Sequence, residues 1–472
     1  MIEERLLGFV ECSQQRDASS LCTLIINFID KLGLRNFPII AQAYDGASVM
    51  SGRNGGLQAK IREIHPEAIY IHCMAHRLNL AVVDSCNDIQ GVKEFFNILE
   101  SLFVHFSQPS NHKTFIETQK ALGTKTLELS RISDTRWSCR SNNCQAVKNN
   151  YSSIIVALKY EIEENSNRNV VEAMGLLTSL TTSKFLVNLV LLTDILLTVN
   201  VLSKQLQGKE STLGASTDII NGTIKCLEEK RNEASFNTLW QEIKKIAQES
   251  DIILDIGRTS KRKRTMPPNL TDFAVMSTIG RDENEDACTS SETSLNEIKN
   301  FWLRNAHYRI LDSVTNHLKI RFSEESQRLA ISVNKFLEMD PIGSLFFIEH
   351  YKKLFNIDTE SLKAEMLVIK NCPDNKIGDK LSNLKSIVTK NTFPHTFRLL
   401  QVALILPIGS TTCERSFSTM RRIKTWLRSR MSQDRFSKLS ILNINSDMAK
   451  NIEHQEIIDG FSKSGNRKLQ LF

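Results

Sequence analysis

The N-terminal part of the chain alternates between short β-like apolar runs and helical stripes. Residues 5–12 form an apolar-rich run that predicts a strand, and residues 37–43 and 68–72 are two further β-like runs. Residues 17–32 are apolar at spacings of three and four, as in an amphipathic helix, and residues 57–64 predict a second, shorter helix. The order strand, helix, strand, helix, strand predicts an α/β sheet layer.

Helical periodicity dominates from about residue 77 to about residue 397. The most apolar run, residues 185–202, is long enough to raise the question of a membrane span, but three polar side chains interrupt it. We therefore interpret it as a buried helix of a large α domain and expect no membrane partner. Residues 257–296 are polar and predict a flexible loop, because such a composition buries too little apolar surface to order itself.

The C-terminal block from Phe393 onward predicts three helices with apolar stripes. A break at residues 407–409 separates the first helix from the second, and a third helix follows. These stripes need a partner surface. The apolar positions on the second and third helices include Phe417, Met420, Ile423, Leu427, Leu439 and Leu442.

The composition is that of an ordinary soluble protein with a large core. The chain has 472 residues, of which 41% are hydrophobic and 24% charged, and this length suggests two to three domains. A net charge of +7 is only a mild bias toward polyanions, so a nucleic-acid hypothesis must rest on where the charge lies. Ten cysteines without framework spacing, and an acidic start, predict a reducing intracellular compartment.

Four local patterns occur in a fixed order. They are YDGASVMSG at 44–52, HCMAHRLNLAVVDS at 72–85, DTRW at 134–137 and ERSFSTMRRIKTWLRSRM at 414–431. Together they resemble the hAT superfamily of cut-and-paste DNA transposases, and especially the hAT-like domain of zinc-finger MYM-type and related domesticated host proteins. The resemblance covers nearly the whole chain.

The resemblance implies an RNase H-like α/β core that is interrupted by an all-α insertion. We expect an incomplete core at residues 1–140, a helical insertion at 141–392, a dimerisation region at 393–450 that completes the core, and a tail at 451–472. It further implies a homodimer in which the apolar stripes of the C-terminal block meet. The fold class predicted in this way is α/β plus all-α.

The expected catalytic residues are two acids, Asp45 and Glu414. By position, the resemblance implies that they match the second and third acids of a triad that holds divalent ions, most naturally Mg²⁺. The family's first acid lies on a strand upstream of residues 6–12, and the only aspartates before Asp45 are Asp17 and Asp30, both predicted in a helix or its cap. We therefore predict a catalytically inactive fragment or decayed descendant that needs no cofactor.

The acidic residues also have ordinary interpretations. An Asp before a Gly at the end of a strand, such as Asp45, is commonly a turn former. Glu414 near the start of a helix could simply complement the helix dipole. On the residues alone, these interpretations are preferred to metal binding.

Cys73 and His76 match the family's Cys-x-x-His element. Taken alone, they also fit a buried thiol and a hydrogen-bonded imidazole at a strand-to-helix junction. Cys139 and Cys144 could complete a four-ligand zinc set, but neither pair has the tight spacing that marks such sites, which argues against zinc.

Basic residues suggest DNA as a partner. Positive side chains crowd the helical stretch after Glu414, which favours a phosphate-facing surface without any evident base-reading code. A short basic run at residues 261–264 suits nuclear import. The resemblance adds an Arg-Trp pair that the family associates with the flanking-DNA hairpin step. The candidate DNA-associated residues are Arg136, Trp137, Arg421, Arg422 and Lys424.

The function that these observations favour is that of an hAT-derived nuclear protein that does not cut DNA, forms a homodimer and binds DNA. Two alternatives stay open. One is an active metal-dependent DNA transposase whose first acidic residue lies in upstream sequence. The other is a zinc-stabilised, non-enzymatic adaptor. No small-molecule substrate is expected.

Overall fold

The computed structural model describes residues 3–131, 138–164, 169–208, 212–256, 295–372, 380–425 and 430–463. These residues are mostly helical, with one small parallel sheet, which confirms the coarser part of the predicted fold class. The chain divides into two units. Unit 1 contains Met1–Leu78, Ser203–Ile220 and Phe322–Phe472, and unit 2 contains Asn79–Leu202 and Asn221–Arg321.

Unit 1 begins with the predicted α/β segment. Its elements are α1 (Ala18–Lys31), β1 (Ala41–Tyr44), α2 (Ser48–Ser51), α3 (Leu57–Ile64) and β2 (Ile69–His72). The side chain of Asp17 caps α1 because it accepts hydrogen bonds from the backbone N–H groups of Ser19 and Ser20. The two strands are parallel, with Ala41 opposite Ile69. Both longer helices and β2 lie where the sequence predicted them, whereas β1 begins four residues later than the run predicted at 37–43.

The core beneath this segment joins α1 and α3 to the sheet. Ala18 and Cys22 of α1 pack with Leu57 and Ile61 of α3 in one buried cluster. The buried Gln42 of β1 fixes the sheet, since its side-chain amide donates to two backbone carbonyl oxygens, at 3.0 and 2.9 Å. Apolar packing and the two hydrogen bonds donated by the Gln42 amide nitrogen therefore set the position of β1.

The strand predicted at residues 5–12 is absent. This segment, which the structure describes, has no regular secondary structure and does not pair with β1 or β2. Its backbone bonds instead to side chains near the C-terminus, for example to Asn445. The prediction was wrong because backbone groups of Leu6 and Phe9 bond to side chains near the C-terminus rather than to a neighbouring strand.

Unit 2 is helical, and its boundaries with unit 1 fall inside α4, α10 and α11. A π-helical turn, Leu303–His307, joins the last two helices of this region. The helices are α4 (Met74–Asp88), α5 (Gln90–Phe106), α6 (Pro109–Ala121), α7 (Ser138–Asn149), α8 (Tyr151–Glu164), α9 (Asn169–Leu180), α10 (Ser183–Leu206), α11 (Leu213–Glu229), α12 (Glu233–Glu249), α13 (Leu295–Trp302) and α14 (Tyr308–Arg321).

The apolar run of the sequence forms α10. Among the described residues, this helix alone is long and apolar enough to cross a membrane by length and composition, and 72% of its most apolar window is buried. Such burial is typical of a core helix in a soluble protein. Most of the predicted flexible loop, residues 257–294, lies outside the described residues.

The rest of unit 1 is a series of C-terminal helices. They are α15 (Glu324–Leu337), α16 (Leu345–Phe355), α17 (Thr359–Asn371), α18 (Lys380–Ile387), α19 (Pro394–Ile405), α20 (Thr411–Ile423), α21 (Gln433–Ile444), α22 (Ser446–Ala449) and α23 (His454–Lys463). Within this series, α19 packs against α15, α16 and α17. The predicted break between α19 and α20 is present at residues 407–409.

Candidate functional site

The carboxyl ends of β1 and β2 meet the loop before α20 at Cys73, which is fully buried. The Cys73 N–H donates to the carbonyl oxygen of Tyr44 at 2.9 Å, and the Met74 N–H donates to that of Ile408 at 3.1 Å. A Cβ at Gly409 would lie 2.6 Å from the Cys73 sulfur, so only glycine fits there. The break before α20 thus brings the start of that helix beside the sheet.

Asp45 and Glu414 both lie next to this junction. Asp45 follows β1 directly, and Glu414 lies in the first turn of α20. Both residues are exposed. One Asp45 carboxylate oxygen accepts a hydrogen bond from the Ala47 N–H at 3.2 Å, the contact that a turn-forming aspartate makes. Glu414 is placed to complement the positive end of the α20 dipole.

The charges of both acids act on groups around Cys73. Burial, and after it the negative charge of Asp45, raises the pKa of Tyr70 to about 12. Desolvation, followed by the charge of Glu4, raises the pKa of the Cys413 thiol, and Cys73 and Glu414 act in the same direction. The two predicted acids therefore belong to one electrostatic neighbourhood.

Glu4 is an acid that the sequence reasoning missed. It acts on the same thiol as Glu414, and with Glu3 it lines a cavity of about 230 Å³ beside Thr412 and Arg415. The sequence search considered only aspartates upstream of Asp45. No local signal marks Glu4, since contacts with residues near the C-terminus set its position.

A divalent-ion site needs several donor side chains that converge on one point. Within the ranges that the structure describes, no three His, Cys, Asp or Glu side chains are grouped so that they could hold a metal ion. The carboxylates there do not form the converging set that Mg²⁺-dependent phosphoryl transfer requires.

A row of aromatic rings leads along the sheet to His76. The ring centroids of Tyr44 and Tyr70 are 6.0 Å apart, those of Tyr70 and His72 are 6.5 Å apart, and those of His72 and His76 are 5.9 Å apart. Gly46 has a φ of +82°, and a Cβ there would lie 2.3 Å from His72 Nε2. The glycine of the Asp-Gly pair after β1 therefore leaves the space that the His72 ring of this row occupies.

The four residues of the alternative zinc set are divided between the units. Cys73 and His76 belong to unit 1, whereas Cys139 and Cys144 belong to unit 2. Burial, followed by the neighbouring Cys86, raises the pKa of the Cys144 thiol.

The apolar stripe of α20 is not absorbed by the chain's own core. The buried positions of this helix are two small polar residues, Ser416 and Thr419. Phe417 is 51% exposed, and Met420 and Ile423 are half-buried. The predicted dimerisation stripe therefore lies at the surface, whereas a core helix would turn its largest apolar side chain inward.

The next helices continue this surface. α21 buries Phe436 and Ser440, leaves Leu439 half-buried and exposes Leu442, and Leu427 lies outside the described residues. The exposed apolar side chains of α22, α23 and their connection are Met448, Ile452, Ile457, Ile458 and Phe461.

Residues 5–10, here named the N-terminal strap, lie on α20 and α21. The Phe9 ring is 5.6 Å from the Phe417 ring and 5.3 Å from the Phe436 ring, between centroids. The Phe9 carbonyl oxygen accepts hydrogen bonds from the Gln433 side-chain amide at 2.8 Å and from the Ser437 hydroxyl at 3.0 Å. The strap is therefore held by its backbone as well as by an aromatic anchor.

The first residues of the strap are fixed in the same way. The Asn445 side chain donates to the Leu6 carbonyl oxygen at 3.0 Å and accepts from the Leu6 N–H at 3.3 Å. The Arg5 guanidinium forms an ion pair with Asp447, because its Nη1 donates hydrogen bonds to the two carboxylate oxygens at 2.7 and 2.9 Å. The hydrogen bond from Arg5 lowers the pKa of Asp447. Sequence analysis found none of these partners.

The basic residues of α20 border the apolar stripe. Arg421, Arg422 and Lys424 are exposed. Arg422 donates to the Thr419 hydroxyl at 3.0 Å, and the Lys424 ammonium lies 5.8 Å from the centre of the Phe436 ring. The predicted phosphate-facing residues therefore lie at the solvent-facing end of α20. Arg136 and Trp137 lie outside the described residues.

Comparison with known proteins identifies the C-terminal region. A family model described as the hAT family C-terminal dimerisation region matches residues 365–448, from α17 to α22. The chain is similar to proteins of Mus musculus and Homo sapiens called "52 kDa repressor of the inhibitor of the protein kinase". Each is 22% identical over 498 residues, which cover 100% of this chain and 61% of the relative. The predicted resemblance to hAT-derived proteins is confirmed.

Proposed function

Since residues 365–448 match the hAT family C-terminal dimerisation region, we propose that the chain is a self-associating nuclear protein that binds DNA without cutting it. The family match supports self-association. The finer fold assignment belongs to this proposal too: β1, β2 and the elements around them represent an incomplete RNase H-like core. The chain spans 61% of the length of the curated relatives, so activities of a whole protein are proposed here for this part alone.

The surface of α20 is the observation that carries the proposal. Burial of a whole Phe side chain contributes about 1.5–3 kcal/mol, so covering the exposed half of Phe417 contributes about 1 kcal/mol. A two-fold symmetric contact uses the same patch on both copies, which doubles this contribution. Half-buried Met420, Ile423 and Leu439 add to it.

Self-association can be tested with an exposed apolar control. Phe417→Asp places a charge on the stripe, whereas Ile342→Asp places one at an exposed apolar site of the same unit outside the matched region. We expect Phe417→Asp to weaken association about 30-fold or more, the loss of a contact worth about 2 kcal/mol. Ile342→Asp is expected to leave it unchanged. Equal association of both variants in sedimentation equilibrium would contradict the proposal.

DNA binding is proposed through Arg421, Arg422 and Lys424. Such contacts go to phosphate groups and carry no base code, so affinity depends on salt rather than on sequence. Replacement of all three by Gln is expected to weaken binding to any duplex and to reduce the slope of log affinity against log salt by about 3, since each phosphate contact contributes about 0.9. An unchanged slope in a fluorescence titration would exclude this surface as the DNA site.

Loss of DNA cutting is proposed because Asp45 is exposed and makes the hydrogen bond of a turn-forming aspartate. The rival is a metal-dependent DNA transposase, which the shared neighbourhood of Asp45 and Glu414 favours. A DNA-nicking assay with Mg²⁺ distinguishes the two hypotheses. The proposal expects no cleavage above background, whereas the rival expects cleavage that disappears in Asp45→Asn and Glu414→Gln.

Nuclear location is proposed from the basic run at residues 261–264. The names of the two relatives describe repressors, which accords with a regulatory role. A fluorescent fusion of the chain is expected in the nucleus, and replacement of the four basic residues by Ala is expected to move it to the cytoplasm. Equal distribution of both fusions would contradict import through this run.

A further inference from the structure

The N-terminal strap contacts the dimerisation region although more than four hundred residues separate them in the sequence. Its contacts with Gln433, Ser437 and Asn445 are spaced along one side of α21 and its end. All three of these partners lie within the family-matched range 365–448. The strap is therefore a structural part of a region to which the family match does not assign it.

The strap has an inner and an outer side. Phe9 points inward, where its ring supports Phe417 and Phe436. Leu7 is 46% exposed and Val10 is 42% exposed. Because consecutive Cα atoms are about 3.8 Å apart, both residues lie within about 8 Å of the Phe9 Cα along the backbone. Leu7 and Val10, here called the outer side of the strap, thus leave apolar surface exposed within two residues of Phe9, whose ring contacts Phe417.

Hydrogen bonds hold the strap backbone in one position. Side chains of α21 and Asn445 take up backbone groups of Leu6 and Phe9 on either side of Leu7. The ordering entropy of the segment is thus already offset within one chain, which lowers the cost of binding through Leu7 and Val10. A segment that is already ordered before binding loses little conformational entropy at an interface.

We propose that the strap is the third element of the self-association surface, so that a second copy of the chain packs on Leu7 and Val10 together with Phe417. This inference rests on the proposed self-association. The second copy is the occupant because the apolar surface of the strap is continuous, through Phe9 and Phe417, with the hAT dimerisation region. A symmetric dimer presents the same composite surface on both sides.

The test uses the full chain and a charge on the outer side of the strap. Leu7→Asp with Val10→Asp is expected to raise the dimer dissociation constant at least about 10-fold, since two anchor contacts are lost. Phe37→Asp is the control, because Phe37 is an exposed apolar residue of unit 1 outside the strap. It is expected to leave the dissociation constant unchanged. Circular dichroism of all variants is expected to show the wild-type helix content.

A second variant tests the anchor without touching the outer side. Phe9→Ala removes the ring that supports Phe417 and is expected to weaken association, whereas Phe9→Leu is expected to retain more of it. If the double Asp variant associates like the wild type while Phe417→Asp does not, the strap inference is overturned and the proposed function stands. If the wild-type chain itself is monomeric, both are overturned.

Discussion

α10 and α20 both carry apolar side chains but use them in opposite ways. In α10 the successive residues Leu189, Val190 and Leu191 are all fully buried, so even neighbouring positions on different faces are covered by the chain itself. In α20 the buried positions are Ser416 and Thr419, and Phe417 is half exposed. This stretch of α10 is thus covered by the chain's own packing, whereas the largest apolar side chain of α20 stays half exposed, as the proposed self-association requires.

The largest expected effect is a loss of stability on mutation of α10. Leu191→Ala leaves a cavity at a fully buried position and is expected to destabilise the chain by about 2–5 kcal/mol. Phe417→Ala, by comparison, is expected to cost less than about 1.5 kcal/mol in the monomer, because half of the side chain is already in water. Denaturant unfolding at a concentration too low for association measures both. Equal losses would remove the distinction between the two helices.

The second effect acts on the strap. Asn445 is buried and makes two hydrogen bonds to the Leu6 backbone, so Asn445→Ala is expected to cost about 1–3 kcal/mol by leaving those backbone groups without their partner. Hydrogen exchange of the Leu6 amide is expected to accelerate, and the midpoint of unfolding is expected to fall. An unchanged exchange rate would show that the side chain does not hold the strap.

Part of the fold could be predicted from the sequence alone. Local signals sufficed for α1 and α3, where apolar spacing and the Asp17 cap lie within one turn of the residues that they organise. They also predicted α20 and its apolar stripe. They failed for residues 5–12, because an apolar run has the same pattern whether it joins a sheet or packs on helices.

The candidate site shows the same limit. Asp45 and Glu414 were predicted from their motifs, and they lie after β1 and in the first turn of α20, next to the junction around Cys73. Glu4 and Asn445 were missed, since their roles depend on contacts between opposite ends of the chain. Such contacts leave no pattern in a single sequence.

A third prediction concerns pH and unit 2. Burial lowers the pKa of His307 below its ordinary value of 6.5. As the pH falls below 6.5, the His307 side chain therefore binds a proton more readily in the unfolded state than in the folded state. Protonation thus favours unfolding, and the free energy of unfolding falls with the pH. The His307→Gln variant lacks this imidazole. When the pH is lowered from about 7.5 to about 5.5, the free energy of unfolding of the variant is expected to fall less than that of the wild type. Parallel pH dependences would contradict the assignment.

The smallest expected effect concerns Arg5. Its ion pair with Asp447 is exposed, and exposed pairs contribute little because water and salt screen them. Arg5→Ala is therefore expected to shift the unfolding midpoint only slightly, and less at high salt than at low salt. A large, salt-independent shift would mean that the ion pair, rather than Phe9 and Asn445, holds the strap.

The mass of the wild-type chain in solution tests the central claim most directly. One chain has a mass of 53.7 kDa. If the outward apolar surface of α20 and α21 is an interface between copies, sedimentation equilibrium at micromolar concentration will give twice this mass, with reversible dissociation on dilution. A single mass of 53.7 kDa across the whole concentration range would contradict it.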